Sequence, residues 1–382
     1  MLILVVNCGS SSVKYELFDI DQERYLAKGV VERIGKKSSS ITHESGAREK
    51  LQEKVNCPDH HKAIELVREY LVDPDKGVLS DVGQVTGVGH RVVHGGEEFS
   101  ESILIDEQVI ESIDAFSELA PLHNPPSLEG IRSCMKIFPD VPQVAVFDTA
   151  FHHSMPKYAF CYGLPYQYYE KYGIRRYGFH GTSHRYVSHK AAEILKRPYE
   201  DLNMITVHLG NGCSIAAVSG GKSIDTSMGF TPLEGLLMGT RSGDLDPAAV
   251  TFIMQREDLT PEQVSELMNK RSGLLGVSGI SNDMRDILKA VKEGSERARL
   301  AYDIFVYRIK KYIGAYAAAM GAVDAVIFTA GIGENVHQIK DGIAKDLRAL
   351  FGQDTEFMTI ATNEELLIAK DTAKIVAEAV KK

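Results

Sequence analysis

The sequence predicts a layered α/β protein with two lobes and a duplicated core. Residues 2–18 and 204–218 share one plan: a short apolar strand, a turn rich in glycine and serine, and a second strand. Each segment precedes a stretch in which helical and strand patterns alternate, which favours α/β layers over an all-β sandwich. At roughly 150 residues per domain, the 382 residues predict two domains, with three as the alternative. We therefore expect a duplicated fold with a cleft between its lobes.

The first half of the chain opens with strands. The apolar run Leu2–Val6 predicts a buried strand, and the alternating segment Val13–Phe18 predicts a second one after a polar turn. Asp59 is placed to cap a helix that runs to Val72. The other predicted elements are strands at Tyr25–Val31, Ser40–His43, Val85–Val88 and Val144–Phe147 and helices at Glu107–Leu119 and Ser127–Phe138.

The second half repeats this plan. Met204–Leu209 is an apolar strand, and Ile215–Val218 follows it after a glycine-rich turn. The other predicted elements are helices at Pro247–Arg256, Pro261–Lys270, Asp283–Glu293, Ser295–Met320 and from Asn363 onward, a strand at Val323–Phe328, and a short strand before the last helix. We expect residues 1–150 and 364–382 to form an N-terminal lobe and residues 151–363 a C-terminal lobe.

Composition and charge exclude several classes of protein. The chain has 43 Lys and Arg against 52 Asp and Glu, a net charge of −9, which disfavours nucleic-acid binding because that requires a basic face. No apolar stretch approaches the length of a membrane-spanning helix, and the start of the chain lacks the pattern of a signal peptide. The five cysteines are scattered without a CxxC pair, so we expect reduced thiols in a cytoplasmic protein.

The turn NCGSSSVK, from Asn7 to Lys14, predicts a binding site for phosphate oxygens. Its glycine lets a ligand approach the backbone, and successive amides with three serine hydroxyls form a nest of donors. Lys14 adds a positive charge, and the lack of GxxxxGK[ST] excludes a Walker A loop. A serine-rich hairpin turn is the alternative; the matching turn at residues 210–212 favours two turns that clamp a phosphate chain.

The segment GIGEN, residues 331–335, follows a predicted strand and precedes a helix. Glycines in such a turn let a nucleotide approach the backbone, and a helix N-terminus favours anions. A dinucleotide fingerprint is a poor alternative, because GxGxxG with an acidic residue about twenty positions later is absent from a first βαβ unit. Packing of the two glycines is the alternative.

Two arginines stand in glycine-rich segments. Arg91 lies among apolar residues in GVGHRVVHGG and needs a carboxylate or phosphate partner, because burial of an unpaired charge is prohibitive. The alternative is a structural ion pair with an internal acid, and His90 and His94 are interpreted as hydrogen-bonded core residues. Arg241, in MGTRSGDLDP, is similar to the charge-neutralising groups of phosphoryl transfer. A solvated loop arginine is its alternative.

Asp148 and His180 are further candidates. Asp148 stands at a strand end, where it is placed to position a cation or a water, and a helix cap is the alternative. His180 precedes a helix that we expect Thr182 or Ser183 to cap, which leaves its ring placed to contact an oxyanion. A zinc site at these histidines is disfavoured because a third clustered ligand and the glutamate of HExxH are missing.

The C-terminal helix opens with adjacent glutamates. Thr362 and Glu365 have the spacing of a capping box, which gives Glu365 a structural explanation. Glu364 has none, and its place at a strand–helix junction suits a carboxylate that holds Mg²⁺ directly or through water.

Together these segments resemble the acetokinase family, in the superfamily that also holds sugar kinases, actin and the heat-shock chaperone ATPases. The resemblance covers essentially the whole chain and rests on NCGSSSVK, GHRVVHGGE, APLHNPP, VFDTAFHHSMP, RRYGFHGTSH, HLGNGCS, DTSMGFTPLEGLLMGTRSGDLDP, NDMRD, FTAGIGEN and TNEEL, in this order. It implies a two-lobed, duplicated ribonuclease H-like (actin-like ATPase) fold with an active-site cleft between the lobes. It also implies reversible transfer of a phosphoryl group from ATP to acetate, with Mg²⁺ or Mn²⁺, in a cytoplasmic homodimer.

The resemblance assigns roles to individual residues. Arg91 and Arg241 would bind the carboxylate and the transferring phosphoryl group, and His180 would stabilise the transition state. Asp148 matches a family residue with an acid/base or metal-positioning role, and positioning is favoured because a carboxylate is already a nucleophile at neutral pH. The nucleotide would be held by Lys14 of the N-terminal lobe and by residues of the C-terminal lobe. These are His208, Leu209, Gly210, Asn211, Gly212, Asp283, Met284, Arg285, Gly331, Ile332, Gly333, Glu334 and Asn335.

The metal and acyl sites are implied in the same way. Mg²⁺ would be linked to Asn7 and Glu364. The small methyl pocket of the family corresponds to Val93, Leu122, Phe179 and Pro232, and Val93 favours acetate. Because one methylene is worth only about 1–3 kcal/mol in an apolar pocket, propionate is expected to be a slower substrate.

The chain departs from the family pattern between Asn335 and Thr362. This stretch is shorter than in the family, which has an additional loop-and-strand segment, and Ala361 stands where a proline is usual. We expect the shortening to bear on the sheet edge of the second lobe.

The sequence leaves three alternatives to this function. A propionate or butyrate kinase is the nearest alternative, and an actin- or chaperone-like ATPase module is one from another class. The carboxyl kinase is favoured by the combination of a small-acid pocket with Arg91, His180 and Arg241. A chaperone ATPase does not need these three residues at a small-acid pocket. A catalytically silent homologue is disfavoured because every motif residue is present.

Overall fold

A computed structural model describes residues 1–46, 49–120, 123–352 and 354–380. The chain forms two compact units, the first made of Met1–Ala150 and Asn363–Lys382 and the second of Phe151–Thr362. Within the described ranges, no helix is both long enough and apolar enough to cross a lipid bilayer. The five cysteines, all in these ranges, are free of disulfide bonds.

Each unit combines strands and helices. The first unit contains β1 (Leu2–Gly9), β2 (Ser12–Asp19), β3 (Arg24–Glu32), β4 (Ser40–Ser45), β5 (Leu51–Lys54), α1 (His60–Val72), β6 (Val85–Val92), β7 (Ile103–Leu104), α2 (Glu107–Ala115), α3 (Asn124–Ile137) and β8 (Gln143–Phe147). The second unit contains α4 (Lys157–Phe160), α5 (Gln167–Tyr172), α6 (Gly181–Leu195), β9 (Asn203–Leu209), β10 (Cys213–Ser219), β11 (Lys222–Thr226), α7 (Pro247–Glu257), α8 (Pro261–Lys270), α9 (Gly273–Ser278), α10 (Met284–Lys292), α11 (Glu296–Met320), β12 (Ala325–Thr329), α12 (Ala330–Asn335), α13 (His337–Phe351) and β13 (Glu356–Thr359). The chain then returns to the first unit as α14 (Glu364–Val380).

Five strands of the first sheet, in the order β3-β2-β1-β6-β8, repeat the order of the second sheet; β4 and β5 extend the first sheet beyond β3, and β7 extends it beyond β8. In the first, β1, β2 and β3 form an antiparallel meander, and β6 and β8 continue in parallel on the other side of β1. In the second, β9, β10 and β11 form the same meander, and β12 and β13 continue in parallel on the other side of β9. This repetition confirms the predicted duplicated α/β core, in the ribonuclease H-like arrangement. The cleft between the lobes stays a prediction.

The first sheet is covered on both faces. Leu4, Val6 and Val88 belong to a buried apolar cluster with Ile64 of α1 and Cys134 of α3. Side chains alternate between faces along a strand, so the neighbours of Val88 in β6 face the opposite side, which α14 covers. Those neighbours are glycines, and a Cβ on Gly89 would lie 2.3 Å from Thr372 Oγ1 of α14. Glycine therefore permits the close packing of α14 on β6.

The second sheet presents polar side chains toward α6. Met204 packs with Val187 and Ala191 of α6 in an apolar cluster. Thr206 and His208 follow Met204 at steps of two along β9, so they lie on the same face. This face of β9 therefore carries His208, one of the predicted site residues.

Several element ends differ from the predictions. The helix predicted to reach Leu119 ends at Ala115 and continues as a 3₁₀ turn, Phe116–Glu118. The segment GIGEN is not a turn before a helix but is itself the short helix α12. The short strand predicted before the last helix is β13, which lies within the shortened stretch. It is the outer strand of the second sheet and pairs in parallel with β12 from Ala325↔Glu356 to Phe328↔Thr359.

Candidate functional site

Arg91 and Asp148 form an ion pair at the ends of two neighbouring parallel strands. Arg91 is the seventh residue of β6, and Asp148 directly follows β8. Arg91 Nε donates to Asp148 Oδ1 at 3.0 Å, and Nη2 donates to Oδ2 at 2.6 Å. Glu364, the first residue of α14, lies with Oε2 4.0 Å from Arg91 Nη2. The structure thus brings three predicted site residues together in the first unit.

This cluster has more negative than positive charge. Burial alone would lower the pKa of Arg91, but Asp148 and Glu364 outweigh burial and raise it. Burial raises the pKa of Glu364 to about 7. The charges of Asp148 and Glu365 also raise this pKa, whereas the charge of Arg91 lowers it. A cation would relieve this imbalance. In the described part of the chain, no three His, Cys, Asp or Glu side chains form a metal site by themselves.

Asn7 and Lys14 face each other across the β1–β2 hairpin. They are direct partners in the antiparallel register, so their side chains lie on the same face of the sheet. With Glu16 and Glu365 they line a cavity of about 220 Å³. Burial raises the pKa of Glu16 to about 7, and the charge of Glu365 adds to the shift. The predicted serine-rich turn is therefore a hairpin whose strands carry charged side chains.

His90, in β6, and His94, two residues after its end, are both buried core residues, as interpreted from the sequence. His90 Nε2 lies 2.8 Å from Gln143 Oε1, and His94 Nδ1 accepts a hydrogen bond from the Gly96 N–H at 3.0 Å. Burial lowers the pKa of each ring to about 4. Both are hydrogen-bonded core residues.

His180 occupies the N-cap of α6 in a left-handed conformation, with φ +57°. Such a backbone costs a non-glycine residue about 1–3 kcal/mol and is concentrated at functional sites. The expected caps do not form, because Thr182 and Ser183 lie inside the first turn of α6. His180 is the N-cap residue, but its side chain accepts no capping hydrogen bond from a helix N–H. The Ser183 hydroxyl instead donates to Thr362 Oγ1 at 3.0 Å and lies 2.8 Å from His208 Nδ1.

A chain of hydrogen bonds connects His180 to the interior of the second unit. His180 Nδ1 lies 2.8 Å from Ser214 Oγ, which lies 2.7 Å from His184 Nε2. His184 Nδ1 lies 2.7 Å from Thr206 Oγ1. His180 and His184 are one helical turn apart at the start of α6, so both face β9 and β10. The ring of His180 also stacks on that of His208, with centroids 4.1 Å apart.

Arg241 and His180 converge at Gly212. A Cβ on Gly212 would lie 3.3 Å from His180 Nε2 and 3.4 Å from Arg241 Nη1. Arg241 is half-buried, and burial lowers its pKa. Its Nη1 donates to the Pro232 carbonyl at 3.0 Å, and the part of the chain that the structure describes provides it with no carboxylate partner. The alternative of a solvated loop arginine is therefore wrong.

Arg176 lies in the motif RRYGFHGTSH, although no role was predicted for it, and it connects the two segments that carry these groups. Its Nη1 donates to the carbonyls of Thr226, Ser227 and Met228 at 2.9, 3.1 and 3.2 Å. Its Nη2 donates to Glu234 Oε1 at 2.5 Å. The segment before His180 is thereby attached to the segment that leads to Arg241.

A second cavity, of about 630 Å³, brings together three predicted segments of the second unit. Asn211 Oδ1 accepts a hydrogen bond from Asn282 Nδ2 at 3.0 Å, and Asp283 Oδ1 caps α10 through the Arg285 N–H at 2.8 Å. Exposed Arg285 forms an ion pair with Asp283. The cavity is lined by Gly210, Asn211, Asn282, Asp283, Met284, Arg285, Gly331, Ile332, Asn335 and Val336.

The other residues predicted to hold a nucleotide lie outside this lining. Glu334 instead supports the turn, since its Oε1 accepts hydrogen bonds from the N–H groups of Ala330 at 2.9 Å and Thr362 at 3.2 Å. Asn282 and Val336 line the cavity but were not predicted, although Asn282 begins the motif NDMRD. The predicted residues outside the lining are Lys14, in the first unit, and His208, Leu209, Gly212, Gly333 and Glu334.

The residues predicted for the acyl pocket are distributed over both units. Phe179 is buried beside His180, and its carbonyl lies 3.1 Å from His152 Nε2. Pro232 contacts Arg241 through its carbonyl. Val93 is half-buried in the first unit, and Leu122 lies outside the described residues.

The capping box predicted for α14 does not form as expected. Asn363 Oδ1 accepts a hydrogen bond from the Leu366 N–H at 2.9 Å, and the Thr362 hydroxyl accepts from Ser183. The cap is therefore Asn363. Glu365 lines the cavity beside Lys14.

The chain is similar to known proteins over nearly its whole length. A family model described as the acetokinase family matches residues 2–381. The acetate kinase of Thermoanaerobacter pseudethanolicus is 57% identical over 397 aligned positions, which cover 98% of this chain and 99% of the relative. That alignment is longer than this chain of 382 residues, so the relative has segments that this chain lacks.

Two crystal structures resemble this one closely. The acetate kinase of Porphyromonas gingivalis superimposes with a TM-score of 0.94 at 45% identity, over 98% of this chain and 99% of that one. A propionate kinase from Francisella tularensis superimposes with a TM-score of 0.92 at 42% identity, over the same shares of the two chains. The overall backbone is therefore shared by chains named for two different acids.

Proposed function

The chain belongs to the acetokinase family, and from that premise we propose that it transfers the γ-phosphoryl group of ATP to acetate, giving acetyl phosphate and ADP reversibly. A carboxylate oxygen of acetate attacks the γ-phosphorus while the bond to the bridging oxygen of ADP breaks. Acetate is already a nucleophile at neutral pH, so no strong general base is required. The protein must align the substrates and offset the charge on the equatorial oxygens.

One observation carries this proposal: Arg241 Nη1 and His180 Nε2 converge at Gly212. Arg241 is a partly desolvated cation without a carboxylate partner in the described ranges, so it is suited to an incoming anion. Fixed donors aimed at developing charge stabilise a transition state without reorganisation. We assign the equatorial phosphoryl oxygens to this pair.

Arg91 is assigned to the acetate carboxylate. A guanidinium fork matches a carboxylate in geometry, and Asp148 fixes the orientation of that fork through two hydrogen bonds. Asp148 is therefore a positioning residue and not a general base. Val93, Phe179 and Pro232, together with Leu122, are assigned to the wall around the acetate methyl group.

The cavity between residues 210–211, 282–285 and 331–336 is assigned to the nucleotide. Its glycines leave the backbone open to a ligand, and α12 begins at its wall. The side-chain amides of Asn211 and Asn282 are hydrogen-bonded to each other and present polar atoms to this cavity. Lys14, in the first unit, is assigned to phosphate oxygens.

The carboxylate cluster of the first unit fits a divalent cation. Glu364 is flanked by Asp148 and Glu365, and Arg91 and Lys14 offset only part of their charge. Mg²⁺ is commonly held by one or two protein oxygens together with substrate phosphates, so Glu364 and Asn7 would hold it here. Bound with the nucleotide, Mg²⁺ neutralises charge on the phosphate oxygens.

The proposal is tested by trapping acyl phosphate with hydroxylamine, using MgATP with acetate, propionate or butyrate in parallel. We expect acetate to be the best acid and propionate to react roughly 10-fold more slowly, because one methylene is worth about 1–3 kcal/mol in such a pocket. Faster turnover of propionate would make this chain a propionate kinase. ATP hydrolysis that no small acid alters would indicate an ATPase module instead.

The resemblance also implies a homodimer. Sedimentation equilibrium at micromolar concentration tests this part of the proposal separately: a species of twice the chain mass is expected, and a monomer at all concentrations contradicts it.

A further inference from the structure

The hydrogen-bond chain behind His180 has a preferred direction. Ser214, His184 and Thr206 are each fully buried, so their polar atoms depend on one another. Three contacts in the chain measure 2.7–2.8 Å, whereas the remaining acceptor of the Thr206 hydroxyl, the Ala216 carbonyl, lies 3.5 Å away. A hydrogen bond at 3.5 Å is at the outer limit and weak.

His184 is neutral in this environment. Burial lowers its pKa well below the usual range, and the neighbouring rings of His152 and His208 add to the shift. A neutral imidazole carries one N–H and one acceptor nitrogen. With Ser214 and His184 each donating one hydrogen bond and accepting one within these contacts, the hydrogen-bond chain from Thr206 to His180 has two directions.

In the first direction, every hydroxyl proton has a short acceptor. The Thr206 O–H donates to His184 Nδ1, the His184 Nε2–H donates to Ser214 Oγ, and the Ser214 O–H donates to His180 Nδ1. In the reverse direction, the Thr206 proton must point to the distant Ala216 carbonyl. An imidazolium at His180 is also disfavoured, because its Nδ1–H would point at the Ser214 hydroxyl and compete with the proton that this hydroxyl donates.

We propose that Ser214 and His184 are positioning residues that keep His180 neutral, with its ring proton on Nε2. This inference rests on the proposed function, in which His180 Nε2 and Arg241 Nη1 contact the transferring phosphoryl group beside Gly212. His180 then contributes a directed N–H donor, and Arg241 contributes the positive charge. Thr206 sets the direction from the far end of the chain.

Nitrogen NMR of the full chain with ¹⁵N-labelled histidine tests the proton position directly. Long-range ¹H–¹⁵N spectra distinguish the Nε2–H form, the Nδ1–H form and the imidazolium, and the His180→Asn variant assigns the signals of His180. We expect the Nε2–H form at neutral pH. Finding His180 as the Nδ1–H form or as the imidazolium overturns the proposal.

Variants extend the test to catalysis. Ser214→Ala is expected to move the His180 signals toward a mixture of tautomers and to lower kcat about 10-fold, the scale of one hydrogen bond, with KM for both substrates within about two-fold. Ser214→Thr keeps the hydroxyl and is expected to restore the Nε2–H form and most of kcat. Unchanged tautomer signals in Ser214→Ala contradict the proposal.

Two further variants keep the test independent of folding and of the overall activity. Thr206→Val replaces the terminal hydroxyl by a methyl group of similar shape and is expected to mix the His180 tautomers, even where Ser214→Ala fails to fold. The matched control is Ser188→Ala, which removes a fully buried hydroxyl on α6 that is not part of the hydrogen-bond chain. This variant should leave the His180 tautomer and kcat unchanged. A wild-type protein that forms no acyl phosphate refutes the proposed function, whereas the tautomer signals decide this inference alone.

Discussion

Arg91 and Asp148 share two parallel hydrogen bonds, at 3.0 Å from Nε to Oδ1 and at 2.6 Å from Nη2 to Oδ2. Two such bonds fix the plane of the guanidinium as well as its position. The Asp148 side chain is almost fully buried, with 2% exposed, whereas 23% of the Arg91 side chain is exposed. Asp148 thus serves as the rigid base of the pair, and Arg91 presents the part that solvent or a ligand reaches.

Asp148→Asn is expected to impair both orientation and stability. The amide keeps the shape but loses the charge and turns one acceptor into a donor that faces the guanidinium. We expect kcat/KM for acetate to fall about 100-fold through misplacement of Arg91. The free energy of unfolding should fall by roughly 1–3 kcal/mol, less than for a fully buried pair because Arg91 is partly solvated. Steady-state assays and urea unfolding measure the two effects.

The surface pair Lys190–Glu193 provides the control for Asp148→Asn. Both side chains are largely exposed, so Glu193→Gln should leave activity and unfolding nearly unchanged. If Asp148→Asn lost stability but kept its kcat/KM, the orienting role of Asp148 would be wrong.

Arg241→Ala is expected to separate activity from stability. Loss of a charge-stabilising donor costs about 100- to 1,000-fold in kcat. The folded protein, however, loses a partly desolvated cation that has no carboxylate partner in the described ranges, so the free energy of unfolding should be unchanged or raised. Arg256→Ala in the exposed helix α7 is the control for removal of an arginine. Near-normal turnover of Arg241→Ala would contradict the assignment to the phosphoryl group.

The strands and most helices were predictable because hydrophobic periodicity records which face of an element is buried. Ile64, Val67 and Leu71 are all buried in α1, as their spacing predicts. The capping of α14 was not predictable in the same way. Thr362 and Glu365 have the required spacing, but Asn363 is an equally good cap one residue later and takes the Leu366 N–H.

The glycine-rich motifs indicated where ligands approach, but not which side chains support the site. Ser214 is an ordinary small residue in a strand, and its importance arises from hydrogen-bond contacts with His180 and His184, which precede it by 34 and 30 residues. Arg176 acts through backbone carbonyls about fifty residues away. Contacts over such sequence distances depend on the complete fold, so the local pattern does not contain them.

Gly212→Ala is expected to disturb the convergence of His180 and Arg241. The added Cβ would lie 3.3 Å from His180 Nε2, so this ring must move by a few tenths of an ångström, and 3.4 Å from Arg241 Nη1, at the limit of an ordinary contact. We expect kcat to fall about 10-fold or more, with little change in unfolding. Gly342→Ala, on α13 where a Cβ meets nothing within 4 Å, should keep full activity and gain about 0.5–1 kcal/mol of stability. Equal activity of the two variants would argue against a site at Gly212.

His90 should make the protein less stable in acid. Its ring is buried against Gln143, and burial lowers its pKa to about 4, whereas an unfolded histidine titrates near 6.5. Between these values the unfolded chain binds a proton that the folded chain does not, so stability is fully present above pH 6.5 and decreases as the pH falls toward 4. From pH 7.5 to pH 5.0 this single group should cost about 2 kcal/mol.

His90→Gln removes the titrating ring and keeps an amide that can bond to Gln143. Urea unfolding at pH 7.5, 6.0 and 5.0 should therefore show a weaker loss of stability in acid than in the wild-type protein. Part of the loss should remain, because burial lowers the pKa of His94 to about 4 as well. His337→Gln, at an exposed position, is the control and should follow the wild-type curve. An unchanged acid slope in His90→Gln would mean that the buried ring is not the group whose protonation unfolds the first unit.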